Sequence, residues 1–235
     1  MTLALIWVLR PHPGVAAGML LVAACPGGSV SNFYTLIARG NTVLSIGLTT
    51  LATLAAVLVT PLVFGFGARL LPEPPQAALG VDVVDMLQLL VVVIILPLMA
   101  ALVVRRFAPE VAARIRRPCR SLAGLLLLAV IGFGFFNNLE TFSPSLAPVL
   151  GTVVLHNALA FAGGYLVAMA VLLREPERRA ITFETGLQNA GLALVLVFNF
   201  FDGDGAMALV AAMWGLWHLL AGLGLARFWS RRRPD

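Results

Sequence analysis

Between Glu184 and Gly191 the chain reads Glu-Thr-Gly-Leu-Gln-Asn-Ala-Gly, which sets a carboxylate, two side-chain amides and two glycines inside an otherwise lipid-like stretch. An ionised carboxylate at membrane depth costs at least about 2.5 to 3.5 kcal/mol unless something pairs with it. The sequence holds no lysine, and Arg178 and Arg179, the nearest arginines, are expected to snorkel to the cytoplasmic interface. A bound cation is the simplest compensation. Gly186 and Gly191 weaken the helix here, and unwound backbone persists in a membrane only where it is buried in protein or lines an aqueous cavity. The stretch therefore reads as a broken helix carrying an ion site. Two other readings stay open: Glu184, Gln188 and Asn189 cross-link helices, or Glu184 neutralises itself by taking up a proton.

The elements that position this chemistry follow from composition. The 235 residues are 60% hydrophobic and 11% charged, with mean hydropathy +0.96. No soluble core of this size requires so much apolar surface, so the chain reads as an all-α, polytopic membrane protein. The formal charge of +5 does not point to nucleic acid, because the arginines fall in short runs between apolar spans and set topology instead. Cys25 and Cys119 suggest neither a disulfide framework nor a metal cluster. Met1 to Leu9 lacks a basic n-region and a cleavage site, so it is not read as a signal peptide.

In chain order, Met1 to Leu9 is a stub too short to span, and Gly14 to Ala24 is an apolar half-span stopped by Cys25-Pro26-Gly27-Gly28. Proline removes a donor and the glycines raise backbone entropy, which breaks the helix. Ser29-Val30-Ser31-Asn32 offers N-cap chemistry for a second half-helix running to Ala38. Arg39-Gly40-Asn41 closes it, and Thr42 to Phe66 is a full span in which Ser45 and Thr49, four apart, share a face. After a proline-rich loop from Arg69, Asp82 and Asp85 precede a span of roughly Met86 to Val104. A basic loop, 105–120, leads to a span from Ser121 to about Phe136, then an Asn137-Asn138-Leu139-Glu140 loop. A long span from Pro144 to Leu173 carries His156 and Asn157, which read as interhelical hydrogen-bonders. A basic turn, 174–179, precedes the broken span 180–201, an acidic loop follows, and the last span runs from Ala206 to Phe228.

Placing the basic segments inside puts the 69–82, 137–144 and 202–205 loops outside, Arg39 inside and Arg10 outside. The alternation closes as about seven full spans plus a stub, in a multi-pass protein of the cell (inner) membrane with a cytoplasmic C-terminus. Two interrupted spans, each followed by an intact one bearing polar groups, is the pattern of inverted repeats around a midplane site.

The motifs Cys25-Pro26-Gly27-Gly28-Ser29-Val30-Ser31-Asn32, Ala38-Arg39-Gly40-Asn41 with Ser45 and Thr49, Leu155-His156-Asn157 with Gly164-Tyr165, and Glu184-Thr185-Gly186-Leu187-Gln188-Asn189-Ala190-Gly191 run through essentially the whole chain. In them it resembles the bile acid:sodium symporter family. The resemblance implies an inverted-repeat transporter fold with two unwound crossing helices. It implies that 1–69 is a remnant of the first repeat (end of helix 3, broken helix 4, helix 5). The complete second repeat would be 82–229 (helices 6–10, broken helix 9), and 230–235 a cytoplasmic basic tail. It implies a first sodium site from Ser31, Asn32, Ser45, Thr49 and Glu184. A second would use the Glu184 and Gln188 side chains with backbone carbonyls near Thr185 and Leu187. Asn189 and His218 are the expected substrate contacts, although Leu219 stands where many members have Asn.

The family's second sodium site also draws a glutamine from helix 3, nearly all of which lies before Met1. The chain is accordingly expected to be N-terminally truncated, through a misplaced start or as a fragment, or to rely on a partner chain for the missing segment. The resulting expectation is a sodium-coupled symporter of small organic anions embedded in the lipid bilayer, working by alternating access. An incomplete or degenerate membrane subunit without transport and a proton-coupled transporter are the alternatives. An intramembrane hydrolase built on Ser29 or Ser31 with His156 or His218 lacks any nucleophile–base spacing.

Overall fold

A computed structural model describes residues 1–137 and 139–232, and among these every regular element is a helix. The first is α1 (Thr2–Leu9), ended by Arg10 in the left-handed region at φ 47°. Then come α2 (Pro13–Ala24), α3 (Val30–Ile37) and α4 (Thr42–Ala68). The break expected after Ala24 is present, since Cys25 is extended at ψ 151° and Pro26 cannot continue the ladder. Thr60 Oγ1 donates to Ala24 O at 2.7 Å and satisfies one of the carbonyls left open where α2 stops in the interior. Ser29 stands at the N-cap of α3 but makes no side-chain cap hydrogen bond. Asn41 is a working cap, accepting from Leu44 N at 3.0 Å.

The remaining elements are α5 (Gln76–Leu79), α6 (Val83–Leu90), a π segment (Val91–Ile95), α7 (Leu96–Phe107), α8 (Pro109–Asn137), α9 (Leu139–Ala170), α10 (Glu175–Gly186), α11 (Ala190–Phe200) and α12 (Gly205–Ser230). The π segment ends two residues before Pro97, whose missing N–H and bulky ring disrupt a regular turn four residues back, at Val93.

Three expected loops are shorter than the sequence suggests. The basic stretch 105–120 is helical apart from Ala108, because arginine is a good helix former and its charge reports the side of the membrane, not the backbone conformation. The basic turn 174–179 enters α10 at Glu175. The 137–144 stretch is helical on either side of Asn138, which lies outside the described residues, as do 233–235 of the basic tail.

Among the described residues four helices are long and apolar enough to cross a membrane: Thr42–Ala68, Val83–Phe107, Leu146–Ala170 and Gly205–Ser230. The apolar helices α2 and α11 are 12 and 11 residues long. Each rises only about 18 Å or less, well short of a hydrocarbon core of about 30 Å. The core gathers around them: Met19, Leu21 and Val22 of α2, Leu196 and Val197 of α11, and Val210 and Trp214 of α12 are buried together. Outward-facing Leu51, Leu58, Leu62 and Phe66 of α4 remain exposed, as suits a surface turned to lipid.

Candidate functional site

The two helix breaks meet. Gly27 pairs with Gln188 in an isolated antiparallel bridge. Gly28 N donates to Leu187 O at 2.6 Å and Asn189 N to Pro26 O at 2.9 Å. A broken helix in lipid leaves backbone donors and acceptors that no water can satisfy, and here each break supplies the other's partners. The glycines serve close approach more than flexibility. A Cβ on Gly27 would run into the Glu184 carboxyl group, and one on Gly28 would sit 3.3 Å from Leu187 O. Neither glycine has positive φ.

Above this crossing, α3 and α4 present side-chain oxygens to the end of α10. Ser31 Oγ and Thr49 Oγ1 each donate to Glu184 Oε2 at 2.7 Å, and the two hydroxyls lie 3.2 Å from each other. Asn32 Oδ1 accepts from Ser45 Oγ at 2.8 Å and lies 3.2 Å from Thr49 Oγ1. Ser31, Ser45 and Thr49 are buried, while Asn32 and Glu184 are half-buried. All five residues expected from the sequence therefore converge. Thr49 has one proton yet four oxygens within reach, namely Glu184 Oε2, Asn32 Oδ1, Ser31 Oγ and Ser45 O.

Such a knot is rich in oxygen and poor in protons. Glu184 Oε1 is buried without a hydrogen-bond partner, and no cationic side chain pairs with Glu184 among the described residues. Carboxylate, amide and hydroxyl oxygens around an uncompensated negative charge form the donor set of a hard cation.

The second expected group is only partly open. Gln188 Oε1 is buried without a partner, like Glu184 Oε1, while Gln188 Nε2 donates to Thr185 O at 3.0 Å. The Leu187 carbonyl is taken by Gly28 N, and the Thr185 hydroxyl turns back to Ile181 O at 2.8 Å. Of the expected substrate contacts, Asn189 spends its Oδ1 capping α11, accepting from Leu192 N at 3.0 Å. His218 is buried on α12 with Nδ1 unpartnered, and no hydrogen bond ties it to the crossing.

One expectation is overturned. Arg179 does not snorkel: it is 2% exposed and bonds Glu175 Oε1, Ala38 O, Trp229 O and Arg232 O through Nε and Nη1. Other contributors carry little sequence signal. Buried Thr35 donates to Ser45 Oγ at 3.3 Å, and its place one turn after Ser31 is the only hint of that role. His156 and Asn157 are interhelical hydrogen-bonders, as expected. His156 Nε2 lies 2.9 Å from Thr2 Oγ1, and Asn157 Nδ2 donates to Gly186 O at 2.7 Å, fastening the last turn of α10 to α9.

Comparison with known proteins bears on what this arrangement serves. The sequence model of a family described as the Sodium Bile acid symporter family matches residues 1–143. The uncharacterized sodium-dependent transporter YocS of Bacillus subtilis is 32% identical over 219 residues, covering 93% of this chain and 65% of the relative. In Arabidopsis thaliana, two chloroplastic proteins described as probable sodium/metabolite cotransporters are similar. BASS1 is 29% identical, covering 97% of this chain and 55% of the relative. BASS5 is 30% identical, covering 93% and 53%. The chain thus spans between half and two-thirds of the length of these relatives.

Proposed function

Because the chain belongs to the sodium bile acid symporter family, a family of transporters and not of enzymes, we propose that the oxygen cluster around Glu184 binds the sodium ion that drives uptake of a small organic anion. The observation that supports this most is the Glu184 carboxylate, held at the crossing of two broken helices by Ser31 and Thr49 with one oxygen unpartnered and no arginine in reach.

Sodium suits the donor set: the oxygens of Ser31, Ser45 and Thr49, with Asn32 Oδ1 and the carboxylate, would hold it in place of the hydrogen bonds that now draw them together. Binding then ties α3 and α4 to α10, and the breaks bridged at Gly27 and Gln188 lie just below. An ion that favours the state in which these elements close on one another shifts the transporter toward that state, the coupling that alternating access requires. We assign Glu184 Oε1, Gln188 Oε1 and the carbonyls near Thr185 and Leu187 to a second sodium ion. Opening that site requires the Gly28–Leu187 and Gln188–Thr185 hydrogen bonds to give way.

Charge follows the ion count. One sodium neutralises Glu184; two leave a net positive charge beside Asn189 and His218, which selects for anions such as bile-acid-like, carboxylate or sulfonate solutes. We place 1–69 in a first repeat, 82–229 in a second and 230–235 at the cytoplasmic face of the inner membrane. The test is a sodium titration of the chain in lipid nanodiscs, with choline holding ionic strength constant, beside Glu184→Gln. Loss of the sodium response in the variant supports the reading. An unchanged response removes Glu184 from the site, and a response to pH in place of sodium assigns the coupling to protons.

A further inference from the structure

The end of α3 and the start of α10 are joined through a buried side chain. Arg179 Nε donates to Glu175 Oε1 at 3.0 Å, and Glu175 Oε2 in turn accepts from Tyr165 OH at 2.9 Å. Nη1 donates to Ala38 O, the C-cap of α3, at 2.7 Å, and reaches Trp229 O and Arg232 O at the end of α12, each at 3.3 Å. The guanidinium also lies 5.5 Å from the centre of the Trp229 ring. Only a planar fork with several donors can serve carbonyls from two helices and a carboxylate at once. Beside it, Asn41 N donates to Pro176 O at 2.8 Å, and Asn41 Nδ2 to Glu177 Oε1 at 3.1 Å.

These contacts form the second of two rungs between antiparallel half-helices. The first joins Ser31, in the opening turn of α3, to Glu184, near the end of α10. The second joins Ala38 to Arg179. Seven residues of α3 and five of α10 separate the rungs, a rise of roughly 8–10 Å. With Arg179 pinned to Ala38, the axial position of α10 is set, and with it the place of Glu184 against Ser31 and Thr49. Gly40 shows how tight the fit is: a Cβ there would lie 3.1 Å from Arg179 Cβ and 3.2 Å from Pro176 O.

We propose that Arg179 is a positioning residue for the cation site, setting the height of α10 so that the Glu184 carboxylate meets the hydroxyls of α3 and α4. The inference rests on the sodium reading of that site. Residues that orient metal ligands from outside the coordination sphere typically change affinity by about 10- to 100-fold.

The test follows the sodium-dependent rise in melting temperature of the full chain in nanodiscs. Arg179→Ala raises the half-saturating sodium concentration by about 10- to 100-fold. Arg179→Lys keeps the charge without the fork and leaves half-saturation raised. Arg178→Ala removes the same charge one residue away, where the side chain holds only Leu173 O, and shifts half-saturation less than about twofold. Gly40→Ala wedges the same joint with the guanidinium kept, its methyl meeting Thr35 Cγ2 at 2.9 Å as well as Arg179 Cβ, and raises half-saturation. Thr35→Ser added to it removes the Cγ2 contact, keeps the hydroxyl and leaves the rise in place, so the pair decides the matter if Arg179→Ala does not fold. A lower melting temperature without sodium at unchanged half-saturation assigns Arg179 to stability alone and overturns the proposal, as does an equal shift from Arg178→Ala. Glu184→Gln separates the two readings. If it abolishes the sodium response while the Arg179 and Gly40 variants leave it intact, positioning fails and the site stands; if Glu184→Gln changes nothing, both fall.

Discussion

Thr49 Oγ1 lies 2.7 Å from Glu184 Oε2 although 135 residues separate them in sequence. Neither helix provides that proximity alone. Ser45 and Thr49 share a face of α4, Asn41 starts that helix beside α10, and the crossed breaks bring the last turn of α10 up to it. The hydrogen bond is thus a readout of how two distant interrupted segments are docked.

Thr49→Val keeps the shape of the side chain and removes its oxygen. The lost oxygen is one of the proposed ligands of the ion, so about 10-fold or more in sodium half-saturation is expected to go with it. Thr50→Val, whose hydroxyl only returns to Ile46 O of its own helix, is the matched control and leaves sodium half-saturation unchanged. Titrating both variants in nanodiscs checks the contrast.

The parts of this site legible in the sequence are those where a residue type is costly in a membrane. Glu184 without a partner, Pro26 followed by two glycines, and two hydroxyls four apart each demand an explanation from local physics, and the structure brings them to one crossing. The burial of Arg179 is not legible in this way, because Arg178 and Arg179 are indistinguishable as text. Only the packing of α12 and the end of α3 against α10 buries one and leaves the other half-exposed. Thr60 and Asn157 likewise look like ordinary polar residues of apolar spans until the helix ends they serve, Ala24 and Gly186, are brought to them. The arginines of 105–120 misled in the opposite direction, since a high density of charge is compatible with continuous helix.

Gly27→Ala places a methyl group where the Glu184 carboxyl lies, so α10 has to shift away from the crossing. Sodium binding is expected to disappear at temperatures where the fold survives. Gly47→Ala is the reverse case: on α4, the added Cβ has no neighbour within 4 Å apart from its adjoining residues and its own helix backbone. It is expected to stabilise by about 0.5–1 kcal/mol through helix propensity, with sodium half-saturation untouched. Thermal melting with and without sodium measures both.

Thr60→Val leaves the Ala24 carbonyl without its donor at the end of α2. Interhelical hydrogen bonds in membranes average about 0.6 kcal/mol and reach about 1.7, and the upper part of that range is expected because this carbonyl terminates a broken helix. The loss appears in melting temperature at every sodium concentration alike, since Thr60 touches the scaffold and not the oxygen cluster. A loss that shrinks as sodium rises would instead connect Thr60 to the ion.

Sodium removal is the broadest test of the docking itself. An ion that binds the folded chain alone stabilises it by RT ln(1 + [Na+]/Kd), about 2.7 kcal/mol at a hundredfold excess over Kd. Replacing sodium by choline at constant ionic strength is therefore expected to lower the melting temperature of the native chain. Glu184→Gln loses that difference for a specific reason: the amide nitrogen turns one ligand oxygen into a donor and removes the charge that attracts the ion, while Ser31 and Thr49 retain an acceptor in the remaining oxygen. The variant is thus expected to melt in either salt close to the native chain in choline. A sodium-dependent rise that persists undiminished in Glu184→Gln would locate the bound ion away from the crossing of the broken helices.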